Sequence, residues 1–434
     1  MNDWKEKKLV EVVEIRVSNV DKKIYPHKKL VKLCNYMDAY SNDYITNKIS
    51  FTIGSADPNE IKRFGLKIND VIITKDSETP DDIAVPSVVI EELENVVCGY
   101  HLAILRPSNE LDGKFLMFLF QQAYLKRYFF CVANGSTRYG LTIGNIEKAK
   151  IKFPPFNTQT KIASIIFTVD KGIEKTQNTI AKYKAIKQGM LNDLFTRGIE
   201  MKTGKLRPKY EDAPELYKES KLGWIPREWE IIKVEEFASD DKNAIVDGPF
   251  GSNLKTIHYK NYGIPIIQSG FVTSNSFFAE NYLYVDNDKF QSEIRSKVVP
   301  GDIIMAKIGA QCGTCAILPK NHKIGILAGN CLKITAAKKN SNKYFEAYLH
   351  YLFETNIIYN IITTTAQPAV SMSSLKIMKI KYPEPEEQIE IAKRINRIKK
   401  IIESEQNYLH KMQKLKAGLM GDLLTGNKRV KVKE

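Results

Sequence analysis

The chain of 434 residues holds only six cysteines, and no apolar run in it approaches the ~20 residues that a membrane span requires. The cysteines follow no regular framework, which excludes a disulfide scaffold and points to a reducing compartment. The opening Met1-Asn2-Asp3-Trp4-Lys5 lacks the apolar core of a secretory signal, so a cytoplasmic location with no membrane partner is expected. There is no Gly-x-x-x-x-Gly-Lys-Ser/Thr loop to cradle a nucleotide phosphate, which excludes ATP-driven work by this chain. What is present, 26% charged and 10% aromatic residues, is the composition of a folded protein, and the length implies roughly two to four domains.

Other catalytic signals are incomplete. Asp247-Gly248-Pro249-Phe250 is close to the Asp/Asn-Pro-Pro-Tyr/Phe signature of amino-methyltransferases, but the second proline is missing and no Gly-x-Gly after a strand precedes it. Asp302 and Lys307 have the spacing of a restriction-nuclease core, yet Met305 stands where its second carboxylate belongs. Cys312-x-x-Cys315 with His322 and Cys331 offers zinc-like spacing; it lies in an apolar run without a counterpart in the first half, so packing is the expected role. We therefore expect no catalytic residue, no metal and no cofactor.

An excess of 65 basic over 50 acidic side chains gives a formal charge of +15, which suggests a polyanionic partner, nucleic acid first. Residues 1–150 hold 21 basic and 20 acidic side chains, 151–200 hold 8 and 4, 201–385 hold 24 and 19, and 386–434 hold 12 and 7. No segment is a dense basic tail. Any nucleic-acid surface must be gathered by folding.

The dominant feature is an internal repeat. A shift of 229 residues lays Ile151-Lys152-Phe153-Pro154 on Ile380-Lys381-Tyr382-Pro383, Gln159 on Gln388, and Asp193-Leu194 on Asp422-Leu423; 18 of 46 ungapped positions are identical. Both copies carry a heptad stripe. The first runs Ile162, Ile166, Val169, Ile173, Thr176, Ile180, Tyr183, Lys187, Met190, Leu194, and the second runs Ile391, Ile395, Ile398, Ile402, Glu405, Leu409, Met412, Lys416, Leu419, Leu423. A stripe of period 3.5 marks a coiled-coil seam. Its polar breaks, Thr176 with Glu405 and Lys187 with Lys416, predict a local stutter in which Ile186 and Leu415 take over the buried face. Each helix opens after a proline stop, Pro154-Pro155 or Pro383-Glu384-Pro385, and the first extends from about Gln159 to Phe195, roughly 55 Å. The stripes either pack on their own globular neighbours or pair with each other; the shared break positions favour pairing.

The segments ahead of the helices correspond more loosely. Trp4 with Lys8-Leu9 aligns with Trp229 and Lys233-Val234, Val31–Tyr36 with Ile266–Phe271, Asn69–Ile72 with Gly301–Ile304, and Lys75 with Lys307. Short Val- and Ile-rich runs between turn residues read as strands, followed by helices at Lys114–Val132 and Lys343–Ile362 and then a loop of small polar residues. The expected class is α+β: two similar globular domains, 1–155 and 227–385, separated by two long helices, 156–200 and 386–434, that pair as an antiparallel coiled coil, with a linker at 201–226.

In this order, duplicated over nearly the whole chain, the repeat, the opening Gly223-Trp224-Ile225-Pro226-Arg227-Glu228-Trp229-Glu230, Asp247–Ser252 with Gly263–Ile266, and Pro383 to Gln388 ahead of a helix ending Leu415–Leu419 resemble the DNA specificity subunit of type I restriction-modification systems. The first half departs from that pattern, having no counterpart of Asp247–Ser252 near Ser18–Ile24. The resemblance implies two target-recognition domains, each reading one half of a bipartite site on double-stranded DNA. It also implies two methyltransferase subunits as partners and, in the nuclease form, restriction motor-nuclease subunits. Half-sites on one duplex face lie about 34 Å apart or a multiple of it, a span that suits helices of this length. A coiled-coil scaffold with protein-binding domains, or a subunit of a fused methyltransferase or nuclease, are the other readings.

Base and phosphate contacts come from Lys, Arg, Asn, Gln, Ser and Thr in loops. Two loops in each domain carry such residues: Asn35 and Tyr36 with Ser136, Thr137, Arg138 and Tyr139 in the first, and Gln268 and Ser269 with Thr364, Thr365 and Gln367 in the second. Arg138 suits guanine, Gln268 or Gln367 suits adenine, and Lys255, Lys260 and Lys307 suit phosphate.

Overall fold

The computed structural model describes residues 3–273, 276–363 and 367–431, with the side chain of Ser252 left aside. The chain divides into two units, residues 1–178 with 407–434 and residues 179–406. The two long helices, Phe156–Thr196 and Pro385–Leu423, each contribute one part to either unit. Among the described residues no helix is long and apolar enough to cross a membrane.

The first unit is built on a five-stranded sheet in the order Val13–Val17, Leu102–Pro107, Val71–Thr74, Pro86–Val89, Tyr44–Ile45. Lys29–Cys34 lies in a second sheet, antiparallel to Thr52–Ala56 and parallel to Val96–Cys98. The second unit repeats the plan. Ile245–Asp247, Cys331–Ile334 and Ile303–Ala306 adjoin in the order of the first three strands above, and Ile264–Ile267 runs parallel to Gly325–Leu327 as Lys29–Cys34 does to Val96–Cys98. Each globular body is closed by pairing its first strand with its last: Lys5–Lys8 with Lys150–Phe153, and Glu230–Lys233 with Lys379–Tyr382. The central strands are fully buried, as their runs of Val and Ile require.

In each unit one end of either long helix completes the core. Ile162, Ala163 and Ile166 share the first core with Leu423 and Leu424, while Leu191, Leu194 and Phe195 share the second with Ile391, Ala392 and Ile395. Within the first unit the helices run antiparallel: Asp170 meets Lys416, and a Cβ placed on Gly172 would stand 2.8 Å from the Met412 methyl. The seam positions are buried or half-buried along both helices.

The expected stutter is absent. Ile186 and Leu415 remain 44% and 49% exposed, and the polar residues keep the heptad positions. Thr176 is buried because its hydroxyl donates to the Gly172 carbonyl, and Lys187 and Lys416 reach Glu354 and Asp170. A lysine can hold a seam position when its stem packs and its ammonium finds a carboxylate. The helix expected over Lys114–Val132 is two, Gly113–Phe120 and Ala123–Val132, broken at Gln121-Gln122. That over Lys343–Ile362 ends at Glu354, where Asn356 turns left-handed at φ 62° before a short 3-10 turn, Ile357–Ile361.

Two small hairpins, Ile199-Glu200 with Lys205-Leu206 and Tyr217–Ser220 with Gly223–Pro226, occupy much of the stretch around 201–226. Glu387, buried at the head of the Pro385–Leu423 helix, binds this stretch through Arg207 (2.7 Å) and the Ile199 N–H (2.6 Å), and it accepts from the Trp229 indole (3.0 Å).

The repeated glutamines join each helix to its globular body. Gln159 donates to the Pro154 and Glu110 carbonyls and accepts from the Asp112 N–H; Gln388 donates to the Pro383 carbonyl and accepts from the Ser341 N–H. Both are fully buried. Asp112 and Ser341 are the N-caps of Gly113–Phe120 and Asn342–Glu354, so the clamp sets the head of each long helix against the start of another.

Gln388→Leu strands the Ser341 N–H and is expected to lower the stability of the second unit by about 1–3 kcal/mol, with Gln159→Leu acting alike on the first. Urea unfolding of each variant would measure this, and a loss within the ~0.5 kcal/mol of ordinary surface changes would show the clamp to be dispensable.

Lys381 offers a test by pH. Its ammonium is buried, donates to the Phe195 carbonyl at 3.0 Å, and has no ion-pair partner among the described residues. Burial pushes it down to about 8 from the usual 10.5. Between those values the folded chain holds fewer protons at this site than the unfolded one, so its contribution to stability rises with pH across that window. Lys381→Met should remove that share of the rise, measured as denaturant midpoints on either side of the window.

Candidate nucleic-acid interface

In the first unit the sequence-predicted residues converge on the short strand Asp76-Ser77. The Tyr36 hydroxyl lies near the Ser77 side chain, and burial pushes its phenol up. Tyr139 pairs with Ser77 through the backbone. The Tyr36 ring also stacks on Tyr40, 5.5 Å between centroids. Ser136, Thr137 and Arg138 are exposed on the turn leading into Tyr139. That turn needs Gly135: its φ is 143°, and a Cβ there would stand 2.0 Å from the Arg138 carbonyl oxygen. Asn35 has a more local role as N-cap of the helix Tyr36–Tyr40, its N–H donating to Asp38 at 2.8 Å.

In the second unit the residues gather around Lys307, directly after the strand Ile303–Ala306. Its ammonium lies 2.7 Å from Asp247 and 4.1 Å from the centre of the Phe250 ring, and Arg295 reaches the same carboxylate at 3.6 Å. The charge of Lys307 is thus matched within the protein. Ser269 joins this group through Asn330, whose amide donates to the Ser269 hydroxyl at 2.8 Å and whose carbonyl accepts the Lys307 N–H. Gln268 precedes it as N-cap of the 3-10 turn Ser269–Val272. Exposed Gln367 leads into Pro368, whose carbonyl accepts from Gly309, and the following Val370 N–H donates to the Lys307 carbonyl. Thr364 and Thr365 lie outside the described residues. Lys255 and Lys260 are exposed and stand apart in sequence, Lys260 pairing through its backbone with Tyr284; among the described residues neither ammonium forms an ion pair.

The first unit has a matching lysine. Lys75 follows the strand Val71–Thr74, lies 3.0 Å from Asp76, and sits over the Tyr100 ring. His101 Nδ1 approaches the same Asp76 carboxylate at 2.7 Å. Sequence reasoning paired Lys75 with Lys307 but passed over Asp76, Tyr100, His101, Arg295 and Asn330. The repeat register carried the missing signal for two of them, since His101 and Asn330 are 229 residues apart. Cys312, Cys315 and Cys331 are buried core residues.

Such clusters present hydrogen-bond donors and acceptors together, the kinds of group that can meet base edges.

Comparison with known proteins bears on what surface this is. The family model for the type I restriction modification DNA specificity domain matches residues 1–183 and again 226–414. A protein of Methanocaldococcus jannaschii named for the specificity subunit of the type I restriction enzyme MjaX is 25% identical over 442 residues, covering 99% of this chain and 94% of its own. The MjaVIII specificity subunit of the same organism is 27% identical over 295 residues, covering 66% and 63%. The S subunit of a type I restriction-modification system from M. genitalium has a similar fold, with a TM-score of 0.59 at 14% identity, covering 97% of this chain and 96% of that one.

Proposed function

The chain belongs to the type I restriction modification DNA specificity family and is a non-catalytic specificity subunit; we propose that each of its two units reads one half of a bipartite, asymmetric DNA sequence. The observation that carries this reading is the double match of the family model, once in each half of the chain, at the same two segments that the repeat relates. Two related bodies that carry different side chains around one frame suit two half-sites of different sequence.

In this reading residues 1–155 and 227–385 are the recognition domains, 156–200 and 386–434 the spacer helices, and 201–226 the segment that joins the halves. Double-stranded DNA is the ligand. Tyr36 and the turn Ser136–Tyr139 face one half-site; Gln268, Ser269, Lys307 and Gln367 face the other. Asn35 supports Tyr36, while Lys255 and Lys260 contact phosphate. The helices set the spacer and offer two similar docking surfaces, which suits two methyltransferase subunits, joined by restriction motor-nuclease subunits in the full complex. The setting is the cytoplasm, where the DNA is.

Exchanging residues 1–150 for those of a relative, in cells carrying the whole system, is expected to change one half of the methylated sequence and leave the other intact. Genome-wide methylation mapping reads the result, and a change in both halves, or in neither, would defeat the two-reader model. A heptad added at matching places in both helices lengthens each by about 10 Å, so the spacer should grow by roughly three base pairs. An unchanged spacer would show that something else sets it.

A further inference from the structure

We propose that His101 and Asn330 are specificity-determining residues at equivalent places in the two readers, each contacting the edge of a purine base beside a duplicated lysine. The proposal rests on the DNA-reading function above and names residues within it that sequence reasoning did not select.

The equivalence is one of backbone construction. Lys75 and Lys307 each follow the last residue of a fully buried strand. The N–H of each donates to the carbonyl of the residue in question, Lys75 to His101 and Lys307 to Asn330, both at 2.8 Å. The carbonyl of each accepts from the residue opening the last part of its unit, Leu141 for Lys75 and Val370 for Lys307, both at 2.9 Å. His101 and Asn330 are 229 positions apart, as are Leu141 and Val370, which is the register of the repeat. Each stands immediately before the strand that pairs with the lysine's own strand, Leu102–Pro107 or Cys331–Ile334. The frame is therefore the same in both units, while the side chain it presents is imidazole in one and carboxamide in the other.

The chemistry around the two positions suits base edges better than phosphates. Both lysines already have a carboxylate, Asp76 at 3.0 Å and Asp247 at 2.7 Å, so neither lysine is a bare cation of the kind that phosphate attracts, although Arg295 shares Asp247 at 3.6 Å. What each does offer is donors and acceptors side by side. The Asn330 amide lies exposed, held by the Ser269 hydroxyl and aligned by the Ser269 N–H at 3.4 Å. A carboxamide so held can donate and accept together at adenine N6 and N7. His101 is held by Asp76 through Nδ1 and packs on Tyr100, ring centres 4.2 Å apart, which leaves Nε2 for a single contact with a purine edge. Its backbone is left-handed, φ 74°, a conformation that a residue bearing a side chain keeps only when its surroundings impose it.

The test uses the full chain assembled with the methyltransferase subunits of its own system, bound to duplexes randomised in both half-sites, with the bound fraction sequenced. Asn330→Ala is expected to flatten the preference at one or two adjacent base pairs of one half and to weaken the matched site about 5- to 150-fold. Asn330→Asp keeps the shape and replaces the donor by an acceptor, so the preference there should move toward cytosine. His101→Asn, which tolerates the left-handed backbone, should alter a preferred base in the other half alone. Unchanged preferences in these variants, an equal loss on every duplex, or changes confined to one and the same half would overturn the assignment while leaving the two-reader model standing. Absence of sequence preference in the unaltered complex would overturn both.

Discussion

A single buried amide at the head of each long helix fixes how the rest of the protein is put together. Prolines end the preceding strand and leave carbonyls without helical partners, and the first turn of any helix has N–H groups to satisfy. Gln159 and Gln388 meet this locally by turning back to Pro154 and Pro383, and spend their carbonyl oxygen on the N-cap residue of a helix in the globular body. Strand, long helix and body helix are tied at one point inside a dry core, where an unmade hydrogen bond is costly. The head of each long helix is thereby held to its body, and duplication repeated the amide at the same place in both halves.

The seams extend the same logic with charge. Lys416 could have been an interruption, yet it bonds Asp170, which in turn accepts from the Tyr44 hydroxyl at 2.6 Å. The pair thus links helix to helix and both to the strand Tyr44-Ile45. Lys187 with Glu354, and Lys399 with Glu346, attach each long helix of the second unit to the body helix Asn342–Glu354. A polar residue on an apolar seam weakens it and selects one register over its neighbours. Here the selected partner is carried by the body as well as by the other helix, so a slipped pairing would break contacts of both kinds. This explains why the heptad passes through its polar positions unbroken and leaves Ile186 and Leu415 outside.

Much of this construction was legible in the sequence because duplication writes the same constraint twice. The proline stops, the buried glutamines and the seam all recur at one shift, and each marks a place where a substitution would strand a buried group. The strands were legible as Val- and Ile-rich runs, and Lys75 could be set against Lys307. Less legible were features that depend on partners distant in sequence. Nothing near Lys416 says that Asp170 will meet it, so the polar break looked like a change of phase. Nothing near Gly204 or Pro208 says that Arg207 will bury itself on Glu387, so a stretch rich in turn residues looked like a free linker. The candidate interface shows the same division. Loops with polar tips were found, but His101 and Asn330 stand at strand ends, where composition gives no hint of exposure.

Net charge was the least informative property for choosing the candidate interface, and the two lysine clusters show why. Counted along the sequence the excess is +1 over residues 1–150 and +9 over 151–200 and 386–434 together, which hold the long helices. Inside the clusters, Lys75 and Lys307 are each matched by a carboxylate. A bare lysine attracts any phosphate and adds affinity for every duplex alike, which lowers the ratio of specific to non-specific binding. Setting an aspartate beside it removes that general attraction and leaves directional hydrogen bonds, whose strength depends on which base edge they meet. On the proposed reading, sites built in this way add little general affinity and favour discrimination, and the affinity they forgo would come from basic surfaces elsewhere in the assembly, where contact with the phosphate backbone strengthens binding without blurring what is read.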